Sequence, residues 1–191
     1  MSSISASKVK ELRGISGAGM MDCKKALLES SGDLQKAMDF LRKSGIAKAQ
    51  KKAGREVKDG IISTYIHPGS KLGVMLEINC ETDFVAKTPT FQELSKDIAM
   101  HIAATSPISV SKDNIPSEVL EKEREIYMDQ AKNSGKPDDI AKKMVLGRME
   151  KFCKENALLD QVFVKNSDLT VNDVITEAIA KLGENISISR F

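Results

Sequence analysis

Gly60-Ile61-Ile62-Ser63-Thr64-Tyr65-Ile66-His67-Pro68-Gly69-Ser70-Lys71-Leu72-Gly73-Val74-Met75-Leu76-Glu77-Ile78-Asn79 decides the fold class. Residues 60–66 are rich in β-formers, and 67–70 carry turn chemistry. In the second run Leu72, Val74, Leu76 and Ile78 alternate on one face, with Met75 and Glu77 on the other. That period of two predicts a β-hairpin. A hairpin alone is marginal in water, so other elements must cover its apolar face.

On both sides of this hairpin the period changes to that of helices, so the expected class is α+β, a small antiparallel sheet with helices. Residues 5–45 read as three short helices. Ser5 or Ser7 caps the first, the loop Gly17-Ala18-Gly19 breaks it, and the second runs through Met20 to Ser30. Asp33 caps the third, in which Leu34, Ala37, Met38 and Leu41 mark one buried face, and Gly45 is expected to stop it. Residues 46–58 are basic and poor in large apolar groups, so they read as a linker with some helical content.

After the hairpin, Phe91, Leu94, Ile98 and Ile102 form a helix stripe, with Thr90 as its expected cap and Ser106-Pro107 as its end. Two polar helices follow, over 117–132 and 137–154, joined by Asn133-Ser134-Gly135-Lys136. So short a connection favours antiparallel neighbours. The pair either protrudes from the body as a helical hairpin or packs on the sheet. Leu159 to Lys165 reads as extended. Thr170 caps an amphipathic helix that Gly183 stops, and Ile186, Ile188 and Arg190 alternate as an edge or third strand. The expected organisation is a three-helix domain at 1–45, a linker at 46–58 and a core at 59–191 that contains the hairpin 117–154.

The 191 residues are 29% charged and 41% hydrophobic, a soluble globular balance. Aromatics are 4%, with no Trp, which argues against a stacking platform for single-stranded nucleic acid. No apolar run reaches membrane length, and the first residues resemble neither a secretory leader nor a transit peptide. Three cysteines without a C-x-x-C pair suggest free thiols in a reducing, cytoplasmic setting. Two histidines and dispersed acids offer little for a metal site. The net charge of +2 is uneven: residues 1–58 hold 13 Lys and Arg against 6 Asp and Glu, and the rest 16 against 21. A basic arm of that kind meets an acidic protein or nucleic acid, or is simply a solvated surface.

Little here points to catalysis. The Gly17-Ala18-Gly19 loop follows a helical pattern and not a strand, so it fails as a phosphate loop. Neither His67 nor His101 has a nucleophile to pair with in sequence, and a structural or contact role suits His101 better. The informative segment is Glu77 to Lys87. It leaves a strand, enters a polar turn and places Phe84 between Asp83 and Val85. Phe84 either turns inward to cap the sheet or projects as an apolar wedge beside a carboxylate. Met20-Met21 is likewise either core or an adaptable exposed contact.

At these residues the sequence resembles the elongation factor Ts family, the guanine-nucleotide exchange factors of elongation factor Tu. The match runs through Val9-Lys10-Glu11-Leu12-Arg13, Gly17 to Leu27, and Glu77 to Lys87 with Thr82-Asp83-Phe84-Val85 at its centre. It continues through Ser134-Gly135-Lys136-Pro137, Ile140-Ala141, Lys143-Met144-Val145 and Gly147-Arg148-Met149. The resemblance implies a ubiquitin-associated-like N-terminal domain, a core docking on the GTPase, and an antiparallel coiled coil at 117–154. It implies no enzyme chemistry, cofactor or metal of the chain's own, and neither nucleic acid nor membrane as a direct partner. Asp83 and Phe84, within Thr82–Val85, are expected to enter the GTP-binding domain of elongation factor Tu and disturb its magnesium site. Arg13, Met20 and Met21 are expected on the N-terminal contact surface, and His101 near the partner's nucleotide-binding region. Longer family members carry two core copies. A chain of this length is expected to form a homodimer and bind two copies of the GTPase, with the interface sought at the last strand and the helix at 170–182.

Overall fold

Local capping accounts for the first helices of the chain, whose computed structural model describes residues 4–133 and 137–191. Helix α1 (Ala6–Ser16) starts at Ser5, whose side chain accepts the Lys8 N–H, and ends at Gly17 in the left-handed conformation. Helix α2 (Met20–Glu29) follows, and α3 (Leu34–Lys52) begins at Asp33, whose carboxylate accepts the Lys36 N–H at 2.9 Å. Val9, Leu12, Cys23, Ala26, Leu27 and Ala37 form their shared core. Truncating Leu12, which is fully buried, would cost about 2–5 kcal/mol.

Gly45 does not stop α3. The helix continues into the first half of the segment 46–58, read as a linker with some helical content, and ends at Lys52. The reason is tertiary: a Cβ on Gly45 would stand 3.2 Å from the Cβ of Ala180, so the glycine permits a close helix approach.

Strands β1 (Asp59–Ile66) and β2 (Gly73–Cys80) form the expected hairpin, closed by the His67 N–H donating to the Leu72 carbonyl at 2.9 Å. Gly60 is required there, because a Cβ would lie 2.3 Å from the Ile78 carbonyl oxygen. The last strand, β5 (Ile186–Arg190), joins this sheet in the order β1-β2-β5. The inward face of β2 buries Leu76, Ile78 and Cys80, as the alternation predicts.

A single turn, α4 (Asp83–Ala86), leads into α5 (Pro89–Thr105). The cap of α5 is Thr88 and not Thr90: its hydroxyl accepts the Phe91 N–H, and Pro89 takes the first helical position, where a missing N–H costs nothing. Helices α6 (Ser117–Asn133) and α7 (Asp138–Asn156) pack on each other, burying Ala131 and Met149, with Arg148 over the Tyr127 ring. The expected connection at Ser134–Lys136 lies outside the described residues.

The extended segment after α7 is a two-residue strand, β3 (Val162–Phe163), paired antiparallel with β4 (Asn166–Thr170), a strand the sequence pattern does not reveal. Helix α8 (Val171–Leu182) follows Thr170 directly and ends at Gly183, as expected.

The architecture is α+β. The chain forms two compact units, one of residues up to Ile61, Ile78–Leu94 and Asp173–Ser187, the other of Ile62–Glu77, Ser95–Asn172 and Ile188–Phe191. Among the described residues, no helix is long and apolar enough to cross a membrane.

Candidate partner-binding site

Strand β2 delivers the chain to Cys80, whose buried thiol donates to the Thr82 carbonyl at 3.1 Å. Burial holds that thiol above its ordinary pKa, so it is not a thiolate nucleophile. Thr82 precedes α4 in an extended conformation, and its side chain does not cap that helix. Its hydroxyl and its backbone N–H instead both donate to the Glu184 carboxylate, at 2.7 and 3.0 Å.

Helix α4 has two opposite sides. Val85 and Ala86 are buried, whereas Phe84 is 80% exposed. Phe84 therefore does not cap the sheet; it projects. Val85, in the same motif, is buried and fastens the turn from within, its carbonyl accepting the Thr88 hydroxyl at 2.7 Å. Asp83 lies 2.6 Å from the Lys87 ammonium. The hydrogen bond from Lys87 holds the Asp83 carboxyl below its ordinary pKa, and Asp83 in turn raises that of Lys87. The result is an apolar ring beside a paired, ionised carboxylate, both open to solvent.

A second exposed group belongs to the same unit. Met20 and Met21 open α2, with Met21 73% exposed, and Arg13 is exposed on α1. The methionines are surface rather than core. Ile15 and Leu28, also exposed, add apolar area on these helices that spacing alone does not single out. Two lysines of the basic segment make contacts inside the chain: Lys48 pairs with Asp22 at 2.7 Å, and Lys52 donates to the Gly183 carbonyl.

His101 is different. It is fully buried on α5 and offers no side-chain surface. Its Nδ1 accepts the Val164 N–H at 3.2 Å, so Nε2 carries the proton and donates to the Gln161 side-chain Oε1 at 2.9 Å. The Phe163 ring lies 5.8 Å away, and burial pushes the imidazole pKa down. The His101 side chain, locked between Gln161 and Val164, holds α5 to the β3 segment.

The residues missed in the sequence are Glu81, Glu184, Asn185 and Arg55. Glu81 accepts the Asn185 N–H at 2.6 Å, which lowers its pKa, and lies 3.5 Å from Arg55; the Asn185 amide donates to the Arg55 carbonyl at 2.8 Å. Glu81 lies inside the informative segment Glu77 to Lys87, and Glu184 and Asn185 are polar residues directly after the helix-stopping Gly183. Among the described residues, no group of three or more His, Cys, Asp or Glu is placed to hold a metal ion.

Comparison with known proteins places the chain in a family. The family model described as Elongation factor TS matches residues 42–178. The chain is 58% identical to Elongation factor Ts of Desulfotalea psychrophila and 56% identical to that of Fervidobacterium nodosum, in both cases over 98% of this chain and 95% of the relative. It is 52% identical to Elongation factor Ts of Desulfosudis oleivorans, over 100% of this chain and 96% of the relative. Identity at that level along nearly the whole length leaves one assignment, and the chain belongs to the elongation factor Ts family.

Proposed function

We propose that the chain is a cytoplasmic guanine-nucleotide exchange factor that binds elongation factor Tu and promotes GDP release during translation elongation by disturbing the GTPase's magnesium site. The observation that carries this reading is Phe84, 80% exposed on a turn whose opposite side is buried, with the Asp83 carboxylate beside it.

The mechanism is linkage, with no covalent step in this chain. A factor that binds the nucleotide-free GTPase more tightly than the GDP-bound form must weaken GDP by the same factor. Burying the Phe84 ring in the partner supplies apolar free energy, about 1.5–3 kcal/mol for a full side chain. Asp83 brings a negative charge that competes for donors and cations nearby. Arg13, Met20 and Met21 extend the contact, and the positive charge of residues 1–58 steers the encounter with an acidic partner.

Reading residues 1–45 as a ubiquitin-associated-like domain, and 117–154 as a coiled-coil arm, is part of the same proposal. The small shared core of α1–α3 and the narrow burial between α6 and α7 support it. A homodimer binding two GTPases completes it. Helix α8 already buries its apolar face within the chain, but the outer face of the β1–β2 hairpin leaves Ile62, Ile66 and Met75 exposed. Gly73, of the same parity as Met75, faces Ile66, which puts these three on one side. A second copy of the chain would cover them, and sedimentation velocity on wild type and Met75→Glu tests this: a shift from dimer to monomer is expected, and a wild-type monomer would exclude it.

The test of the exchange reading is release of fluorescent GDP from elongation factor Tu. Wild type accelerates it, and Phe84→Ala loses most of the acceleration while keeping its circular dichroism. Undiminished acceleration by Phe84→Ala rules the wedge out.

A further inference from the structure

An 80% exposed phenylalanine cannot be held in place by its own packing. Its direction must come from the backbone of residues 82–86, and that backbone is tied at one end in an unusual way. Two neighbouring carboxylates are exchanged between two turns. Glu184 accepts the Thr82 N–H at 3.0 Å and the Thr82 hydroxyl at 2.7 Å, while Glu81 accepts the Asn185 N–H at 2.6 Å. Arg55 closes the set, receiving the Asn185 amide on its carbonyl and placing its guanidinium by Glu81. Hydrogen bonds to a charged carboxylate are about twice as strong as neutral ones.

Thr82 is the hinge between β2 and the single turn of α4. In sequence Thr82 stands where a residue caps the helix it precedes. Here the hydroxyl points back to Glu184, and the cap is forgone. A four-residue helix has little stability of its own, since helix nucleation is costly. Its orientation is therefore set by the Glu184 tie before it and the buried Val85–Ala86 pair within it.

Resting on the exchange-factor reading, the geometry points to Glu184 as a positioning residue: it pre-organises the Asp83–Phe84 wedge without touching the partner itself. Pre-organisation acts by removing the ordering cost of binding. Loss of the tie weakens the encounter and leaves the chemistry of the wedge unchanged.

The experiment titrates wild type, Glu184→Ala, Glu184→Gln, Phe84→Ala and the double variant Glu184→Ala/Phe84→Ala against elongation factor Tu loaded with fluorescent GDP. The readouts are the concentration for half-maximal acceleration and the maximal rate. Glu184→Ala is expected to raise the half-maximal concentration about two- to tenfold, the range for immobilising one or two side chains. Glu184→Gln is expected to restore most of it, because its amide accepts the Thr82 N–H and donates to the Thr82 hydroxyl. In the Phe84→Ala background, Glu184→Ala is expected to add nothing, since the two residues act as one. Thr82→Val, which loses one of the two bonds, serves if Glu184→Ala does not fold, and is expected to give a smaller shift of the same kind. Full activity of Glu184→Ala, or an effect that adds undiminished to that of Phe84→Ala, overturns the positioning role and leaves the wedge intact. Full activity of Phe84→Ala overturns both.

Discussion

The turn at Thr82–Lys87 and the middle of α5 around His101 reverse the usual rule of burial. The first exposes a large aromatic ring, and the second encloses a titratable imidazole. Both are fastened by hydrogen bonds: Thr82 to Glu184, and His101 to Gln161 and Val164. The difference lies in what the fastening serves. Around His101 the bonds satisfy the buried side chain itself, and so stabilise the fold. Around Thr82 they satisfy the backbone next to an apolar side chain left without cover. Buried polar groups report on stability, whereas an exposed apolar group on a rigid base reports on binding.

That contrast can be broken by substitution. His101→Ala is expected to have the largest effect on the fold. It leaves a cavity and strands the Val164 N–H, so about 3 kcal/mol of stability should be lost, read from urea unfolding. Phe84→Ala should do the opposite. Its unfolding midpoint should hold within about 0.5 kcal/mol, whereas affinity for elongation factor Tu falls about thirtyfold, the scale of an interface hot spot, measured by calorimetry. A large stability loss in Phe84→Ala, or none in His101→Ala, would erase the distinction.

The pH dependence sharpens it. Burial lowers the pKa of folded His101 below the 6.5 of the free side chain. Below that value the unfolded chain takes up a proton that the folded chain refuses. Stability should then fall on acidification, by at most about 1.4 kcal/mol per pH unit, until the folded imidazole also titrates. The slope between pH 6.5 and 5 should flatten in His101→Gln. The smallest effect is expected at the exposed pair. Lys87→Met should leave the unfolding midpoint unchanged and raise the Asp83 carboxyl pKa toward its ordinary value, followed by NMR titration.

Much of the fold was legible because its signals are local. Ser5 and Asp33 cap helices through bonds to residues three positions on, and Gly183 ends α8 by its own left-handed backbone. The hairpin was legible because alternation at Leu76 and Ile78 maps directly onto a buried face. Gly45 misled because a glycine that ends a helix and one that admits a neighbouring helix look the same along the chain. β4 was hidden by its composition, Asn166-Ser167-Asp168-Leu169-Thr170, which suits turns more than strands. At the site, the Thr82–Val85 motif was legible as a whole, but not which of its members face out.

The sequence by itself determined the α+β class, the order of most elements, the basic character of residues 1–58 and the segment in which a wedge could sit. These follow from periodicity, capping and charge, all of which act within a few residues. Only the tertiary structure decided that Phe84 projects while Val85 is buried, that His101 is enclosed, and that Glu184 holds Thr82. The partners in these arrangements lie as much as 102 residues apart, and no local pattern encodes a hydrogen bond that long-range packing brings together.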